Sequence, residues 1–289
     1  MILINHRANS TKKIKNTSFD FGVERMSQKN LILNILEKIC RSNLYLFLIS
    51  RYLTGKLFSK IIYDNDFNII KNLEKNNYFD NKNVVIDIGA NDGMSYQTIR
   101  RFTKKPKIIS FEPIDDNFRI LKKFKKEDKL FNCLKIALSN KSAKEFIFIP
   151  CFRKFSITLA AGINKMQVIN RLKISLPIKN IINKIHFKKS IIKTKKLDNF
   201  KLKPSLIKID IEGHEFEGVC GAIKTISKYK PILMVEYDKR ICDKIFKILK
   251  KFNYDKFMYN KTSKKIEKFK NQKVLNIFYI TKEKIKFFN

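Results

Sequence analysis

The stretch that most constrains this chain is Val84–Gly93, V-V-I-D-I-G-A-N-D-G. Its three leading β-branched residues predict a buried strand of a parallel sheet. Asp87 stands at the strand's end, Gly89 and Gly93 open a tight turn, and Met94 to Phe102 reads as a helix. Strand, glycine turn and helix form a cradle: glycine lets a ligand approach the backbone, and a helix N-terminus offers free N–H groups. A dinucleotide cradle would carry G-x-G-x-x-G, with its acid on the next strand. Here an acid directly precedes the glycines, which suits a ligand with a cationic amine and no pyrophosphate. S-adenosylmethionine is such a ligand; a plain α/β turn is the competing interpretation.

The second strand, Lys107–Phe111, ends in Glu112-Pro113. An acid one βα unit beyond the glycine turn can accept hydrogen bonds from both hydroxyls of a ribose, or it is simply a surface acid. A helix over Asp116–Lys126, a third strand over Leu130–Leu138 and a hairpin strand at Glu145–Ile149 follow. Residues 151–200 show only short apolar pieces, Ile157–Ala161 and Ile178–Ile185, between lysines. A long insertion between core strands often carries acceptor-binding elements, and it is equally compatible with a solvated decoration.

Lys203-Pro204 then leads into a fourth strand, Leu206–Ile209, which runs into Lys208-Ile209-Asp210-Ile211-Glu212-Gly213-His214-Glu215. Alternation places Lys208, Asp210 and Glu212 on one side of an extended segment. Ionisable groups at the end of a core strand are costly to bury without a purpose. A charged helix start explains only the later acids, Glu215 and Glu217. Phe216, Val219, Ile223 and Ile226 mark the buried stripe of that helix. The fifth strand, Pro231–Val235, ends at Glu236; a helix at Lys239–Lys251, a short strand at Lys256–Tyr259, the polar turn Asn260–Gln272 and a final strand at Lys273–Ile280 complete the pattern.

With 289 residues, 44% of them hydrophobic, the chain accommodates one large α/β domain and an appendage. We divide it into a disordered basic segment (1–28), a helical appendage (29–80) and a main domain (81–289) with an insertion at 151–204. In the appendage Ile32, Ile35, Leu36, Ile39, Leu46, Ile49, Leu53 and Leu57 recur at helical spacing beside Lys38, Arg41, Arg51, Lys56 and Lys60. A helix packed on the main domain is the preferred reading, and a basic amphipathic helix on an anionic membrane is the other. Five cysteines, odd in number and without a C-x-x-C pair, suggest reduced thiols in a cytoplasmic protein. Met1–Lys15 lacks the apolar core of a secretory signal, and the longest apolar run, Leu44–Ile49, is too short to span a bilayer. The net charge of +36 invites a nucleic-acid reading, but it comes from 52 lysines against 10 arginines. Arginine is the residue of bidentate phosphate and guanine recognition. The lysines run the whole length and seldom alternate with aromatics, so compositional bias is the preferred explanation. No specific nucleic-acid partner is expected, although the field attracts anionic surfaces at low salt.

D-I-G-A-N-D-G at 87–93, F-E-P at 111–113, A-L-S-N at 137–140, K-L-D at 196–198, K-I-D-I-E-G-H-E at 208–215, G-A at 221–222 and P-I-L-M-V-E at 231–236 together resemble the FkbM family of S-adenosylmethionine-dependent methyltransferases. The resemblance runs from Asn83 to Lys282, and D-x-E-G-x-E is its most specific part. It implies a class I, Rossmann-like methyltransferase fold: a seven-stranded sheet, parallel except for a reversed last strand, with helices on both faces. It also implies O-methylation of hydroxyls on sugars, polyketides and similar metabolites. The expected cofactor contacts are Asp87, Gly89, Ala90, Asn91, Gly93, Glu112, Pro113 and Leu138.

A hydroxyl acceptor must lose its proton, and Asp210, Glu212, His214 and Glu236 are the candidate bases. Histidine has the pKa nearest neutrality, and His214 could equally cap or pack the helix. Asp210 and Glu212 could instead bind a divalent cation that lowers the acceptor's pKa. No His/Cys cluster has zinc spacing, and the N/D-P-P-Y/F signature of amino-methylating enzymes is absent. The competing functions are an RNA methyltransferase using the basic surface, and a non-catalytic membrane- or polyanion-binding protein with a vestigial cradle.

Overall fold

Two apolar runs far apart in sequence, β1 (Val84–Ile88) and β8 (Pro204–Ile209), lie side by side at the centre of an eight-stranded sheet. The computed structural model describes residues 64–153, 155–175 and 183–288, so the segment 1–28 and the appendage up to residue 63 fall outside the described residues. In chain order the elements are α1 (Asn68–Lys75), β1, α2 (Met94–Phe102), β2 (Lys107–Phe111), α3 (Asp115–Glu127), β3 (Phe131–Leu134), β4 (Ala137–Leu138), β5 (Ala143–Phe152), β6 (Phe155–Ser156) and α4 (Lys165–Ser175). There follow β7 (Ile185–Lys195), β8, α5 (Glu215–Cys220), α6 (Ile223–Tyr229), β9 (Ile232–Glu236), α7 (Lys239–Leu249), β10 (Tyr254–Asn260), β11 (Lys265–Lys268) and β12 (Asn276–Thr281).

The main sheet has the order β11-β10-β12-β9-β8-β1-β2-β3. Strands β3, β2, β1, β8 and β9 are parallel, and β12 runs antiparallel between β9 and β10. Alternation sends successive side chains to opposite layers. Val85, Ile108, Leu206 and Met234 pack with Ile69, Ile70 and Leu73 of α1, Ile99 of α2 and Leu121 of α3. Ile86, Ile207, Leu233 and Val235 pack with Val219 of α5, Ile226 of α6 and Ile245 and Leu249 of α7. Helices therefore cover both faces, as expected; β12 runs against the parallel strands, and so does β11 at the edge.

Three expectations about the strands change. The sheet has eight strands, because Lys265–Lys268, inside the expected polar turn Asn260–Gln272, pairs with β10 at the edge. An edge strand needs little apolar surface, and in β11 only Ile266 is apolar. The expected strand Leu130–Leu138 is two strands. A tight turn, in which Ile136 N donates to Leu134 O at 3.0 Å, sends β4 away from the main sheet. The expected hairpin strand Glu145–Ile149 extends over Ala143–Phe152 and pairs along its length with β7. Lys188, Lys189, Lys193 and Lys195 hide the strand pattern of β7 in the sequence. These pieces form a second sheet, β4-β7-β5-β6. The described cysteines, Cys133, Cys151, Cys220 and Cys242, are free. Among the described residues, no helix is long and apolar enough to cross a membrane.

Candidate active site

The turn after β1 needs its glycines for two local reasons. Gly89, Asn91 and Gly93 all hold positive φ, at 80°, 49° and 88°. A Cβ on Gly89 would also lie 1.8 Å from the carbonyl oxygen of Asp210, and one on Gly93 would lie 2.6 Å from the Phe124 ring. The space vacated by these side chains is filled by the end of β8 and by α3, so the glycines let those elements close against the turn. Gly89 N and Ala90 N donate to Phe111 O at 3.0 and 3.2 Å, which ties the turn to the end of β2.

Glu112 stands where the second acid was expected, buried against the turn. Its Oε2 accepts from Asn91 N and its Oε1 from Ile114 N, both at 2.8 Å. Burial pushes its carboxyl up to about 7, with the two backbone N–H groups pulling against that shift. Pro113 is half-buried beside it, while Ala90 and Leu138 are buried in the apolar layers.

Asp87 is 0% exposed. Ser110 Oγ donates to its Oδ2 at 3.3 Å, and its Oδ1 has no hydrogen-bond partner. Register sets Asp87 of β1 beside Lys208 of β8, and the Lys208 ammonium lies 3.7 Å from Asp87 Oδ1 and 3.0 Å from Asp210 Oδ2. The cation that faces Asp87 is thus the protein's own lysine. Burial raises the Asp87 pKa against the pull of Lys208. Burial alone would lower the Lys208 pKa, but Asp210 and Asp87 outweigh it and hold the ammonium charged.

Carboxylate oxygens of Asp210, Glu212 and Glu236 lie within 4.8 Å of one another, at the carboxyl ends of β8 and β9. Burial, then repulsion from Asp210, pushes Glu212 up to about 7, and burial with repulsion from Asp210, Glu212 and Glu215 pushes Glu236 up to about 9. Glu215 turns inward, its Oε1 accepting from Ile211 N and Gly213 N at 3.0 Å each, and so braces the loop at the start of α5. The three carboxylate oxygens are also close enough to share a divalent cation, but Lys208 and Arg171 already bring positive charge to two of them.

His214 faces another way. Its Nε2 is 2.9 Å from Ser139 Oγ and its Nδ1 is 3.4 Å from Glu217. A serine, a histidine and a carboxylate in line suggest an activated nucleophile. Ser139, however, is 1% exposed, which closes it to substrate. The contact pins the start of α5 to the end of β4, and burial lowers the His214 pKa. Of the four expected bases, three converge and His214 does not.

Several residues at the site are not apparent in the sequence. Arg171 of α4 donates from Nη1 to Glu212 Oε2 at 2.9 Å and from Nη2 to the Glu212 carbonyl. Thr158 Oγ1 donates to Asn91 Oδ1 at 3.2 Å, so the insertion reaches both the glycine turn and the acid cluster. Asn276, opposite Glu236 in register, donates from its backbone to Asp66 and from its side chain to Asp64 and Asp66. The one available signal was that Arg171 is an arginine in a chain that otherwise prefers lysine fivefold.

Among the described residues, Asp87, Glu112, Asp210, Glu212, Glu215 and Glu236 gather here with Lys208 and Arg171, in a chain with 62 basic and 26 acidic residues. Burial and mutual repulsion favour the protonated form of several of these carboxyls, and a ligand carrying a sulfonium and an ammonium would relieve that repulsion. The strand order with its reversed β12, the glycine turn and the acid ending β2 are those of the class I methyltransferase fold. The chain belongs to the FkbM methyltransferase family: the methyltransferase FkbM domain matches residues 87–256. Similar solved structures include an FkbM methyltransferase from Methylobacillus flagellatus, at 16% identity and a TM-score of 0.44, with 70% of this chain and 44% of that one covered. This chain thus spans less than half of that protein. A precorrin-6y C5,15-methyltransferase from Geobacter metallireducens matches at 11% identity and a TM-score of 0.36, over 72% and 82% of the two chains. An S-adenosylmethionine-dependent O-methyltransferase from Thermotoga maritima matches at 10% and 0.37, over 76% and 66%. No curated protein matches the sequence significantly.

Proposed function

We propose that this protein moves a methyl group from S-adenosylmethionine to a hydroxyl oxygen of a sugar, glycan or secondary metabolite. The observation that carries the proposal is the convergence of Asp210, Glu212 and Glu236 within 4.8 Å, at the strand ends beside the glycine turn. Open α/β sheets bind ligands at that edge.

S-adenosylmethionine, when bound, supplies an electrophilic methyl group, so much of the remaining work is alignment and proton removal. In this reading Glu112, tied to the turn through Asn91, accepts hydrogen bonds from the ribose hydroxyls. Lys208 fixes the Asp210 carboxylate, and Arg171, from the insertion, fixes Glu212. Glu212, pushed up to about 7, takes the hydroxyl proton, since a general base works best with a pKa near the operating pH. Glu236, pushed up to about 9, keeps its proton at neutral pH and presents a donor to the acceptor oxygen. The thiols Cys133, Cys151, Cys220 and Cys242, free of disulfides, suit a reducing compartment, and we assign the activity to the cytoplasm.

The test is methyl transfer from labelled S-adenosylmethionine to a panel of glycans and hydroxylated metabolites. With an accepted hydroxyl, Asp210→Asn and Glu212→Gln should each lower turnover about a hundredfold or more and leave cofactor affinity nearly unchanged. Full activity in both variants removes the base assignment. Loss of activity with a chelator would assign the three carboxylates to a divalent cation, and label found only in RNA would refute the acceptor class.

A further inference from the structure

We propose that the outer face of the β5–β7 pair docks the protein on a membrane surface containing anionic phospholipid. The antiparallel register puts Lys144 opposite Lys193, Phe146 opposite Ile191 and Phe148 opposite Lys189. Alternation sets these six side chains on one face of the second sheet. The intervening Ile147, Ile149 and Ile192 turn the other way and pack with Ile114 and Ala161. Helix α4 covers one end of the outer face, where Val168 and Leu172 meet Ile185 and Phe187. At the other end Phe146 is 47% and Ile191 66% exposed, and Lys144, Lys189 and Lys193 are exposed around them. None of the six is acidic. Read along the chain, the three from β5 and the three from β7 are separated by 40 positions or more; the register of the two strands gathers them on one face.

The details select the partner. Lys189 Nζ lies 3.7 Å from the centroid of the Phe146 ring and so covers one face of it. A ring capped in this way is poorly placed to stack on a nucleobase or a sugar. Ile191 offers neither stacking nor a hydrogen bond, and the face has no arginine for bidentate contact with phosphodiesters. What it presents is a branched aliphatic side chain and a ring edge among three ammonium groups. That combination matches the boundary between phosphate headgroups and acyl chains, where apolar side chains enter and lysines reach up to the phosphates. β7, which supplies half of this face, lies in the insertion that also carries Thr158 and Arg171, so docking would hold the acid cluster near the membrane surface.

The test is co-sedimentation of the full chain with phosphatidylglycerol–phosphatidylcholine vesicles and with pure phosphatidylcholine vesicles. Lys189→Gln with Lys193→Gln should lower partitioning onto the anionic vesicles roughly thirtyfold, at the usual gain per lysine near such a surface. Ile191→Ser should lower it several-fold, and the parent should bind pure phosphatidylcholine weakly. Lys244→Gln with Lys247→Gln on α7 removes the same charge elsewhere and should change little. Equal losses in the two lysine pairs would reduce the effect to bulk charge, and unchanged binding in the Lys189 and Lys193 variant would remove the face from any docking role. Tighter binding of a single-stranded RNA, lost in that same variant, would replace the membrane with a nucleic acid.

Discussion

Replacing Lys208 by methionine removes the buried positive charge that lies between Asp87 and Asp210. The Lys208 side chain is 5% exposed and that of Asp87 is 0%, with the ammonium 3.7 Å from Asp87 and 3.0 Å from Asp210. Methionine keeps the shape but leaves Asp87 buried without a cation, and breaking a buried pair in this way costs about 3–5 kcal/mol. The pH dependence follows from the signs. Burial already raises the Asp87 pKa against the pull of Lys208, so the variant raises it further. A carboxyl with a raised folded-state pKa carries its full penalty above that pKa and none below its unfolded value. The stability deficit of Lys208→Met should therefore be larger at pH 8 than at pH 5. The chain has no tryptophan, so urea unfolding is best followed by circular dichroism. Asp87→Asn added to Lys208→Met removes the stranded charge and should restore most of the loss. A Lys208→Met protein within about 1 kcal/mol of the parent, or a double variant no better than the single one, would refute this account of the pair.

Gly89→Ala combines a positive φ with a Cβ 1.8 Å from the Asp210 carbonyl; it should destabilise the fold by about 3 kcal/mol or more, seen as a fall in the urea midpoint. Because Glu236 is pushed up to about 9 by burial and its acidic neighbours, its contribution to stability is present at low pH and lost as pH rises towards 9. Glu236→Gln should accordingly gain stability over the parent on going from pH 6 to pH 9, and thermal melts across that range check the sign. His214→Ala breaks the contact with Ser139 and should cost about 1 kcal/mol of stability while leaving methyl transfer largely intact; a collapse of turnover without loss of stability would return His214 to the chemistry.

The core was legible where burial is complete on both faces. The strand Lys107–Phe111 and the helix Met94–Phe102 coincide with expectation, and β1 and β8 announce themselves as apolar runs ending in acids. The convergence of Asp210, Glu212 and Glu236 was partly legible, since each ends a predicted core strand or follows one closely. The partner of Asp87 was not, because it depends on the register between strands 120 residues apart in the chain. The same holds for Arg171 and Thr158, which reach the site only through an insertion whose long strand, β7, is masked by lysines. For His214 the sequence left a base and a capping or packing role open, and the packing of β4 against α5 sets its ring beside Ser139.

Equilibrium binding of S-adenosylmethionine to the full chain, followed by calorimetry, tests the central claim most directly. The account predicts saturable binding, competed by S-adenosylhomocysteine and weakened by about 1–3 kcal/mol in Glu112→Ala, the expected loss of hydrogen bonds to a charged group. Absence of saturable binding, or an affinity that Glu112→Ala leaves unchanged, would contradict it.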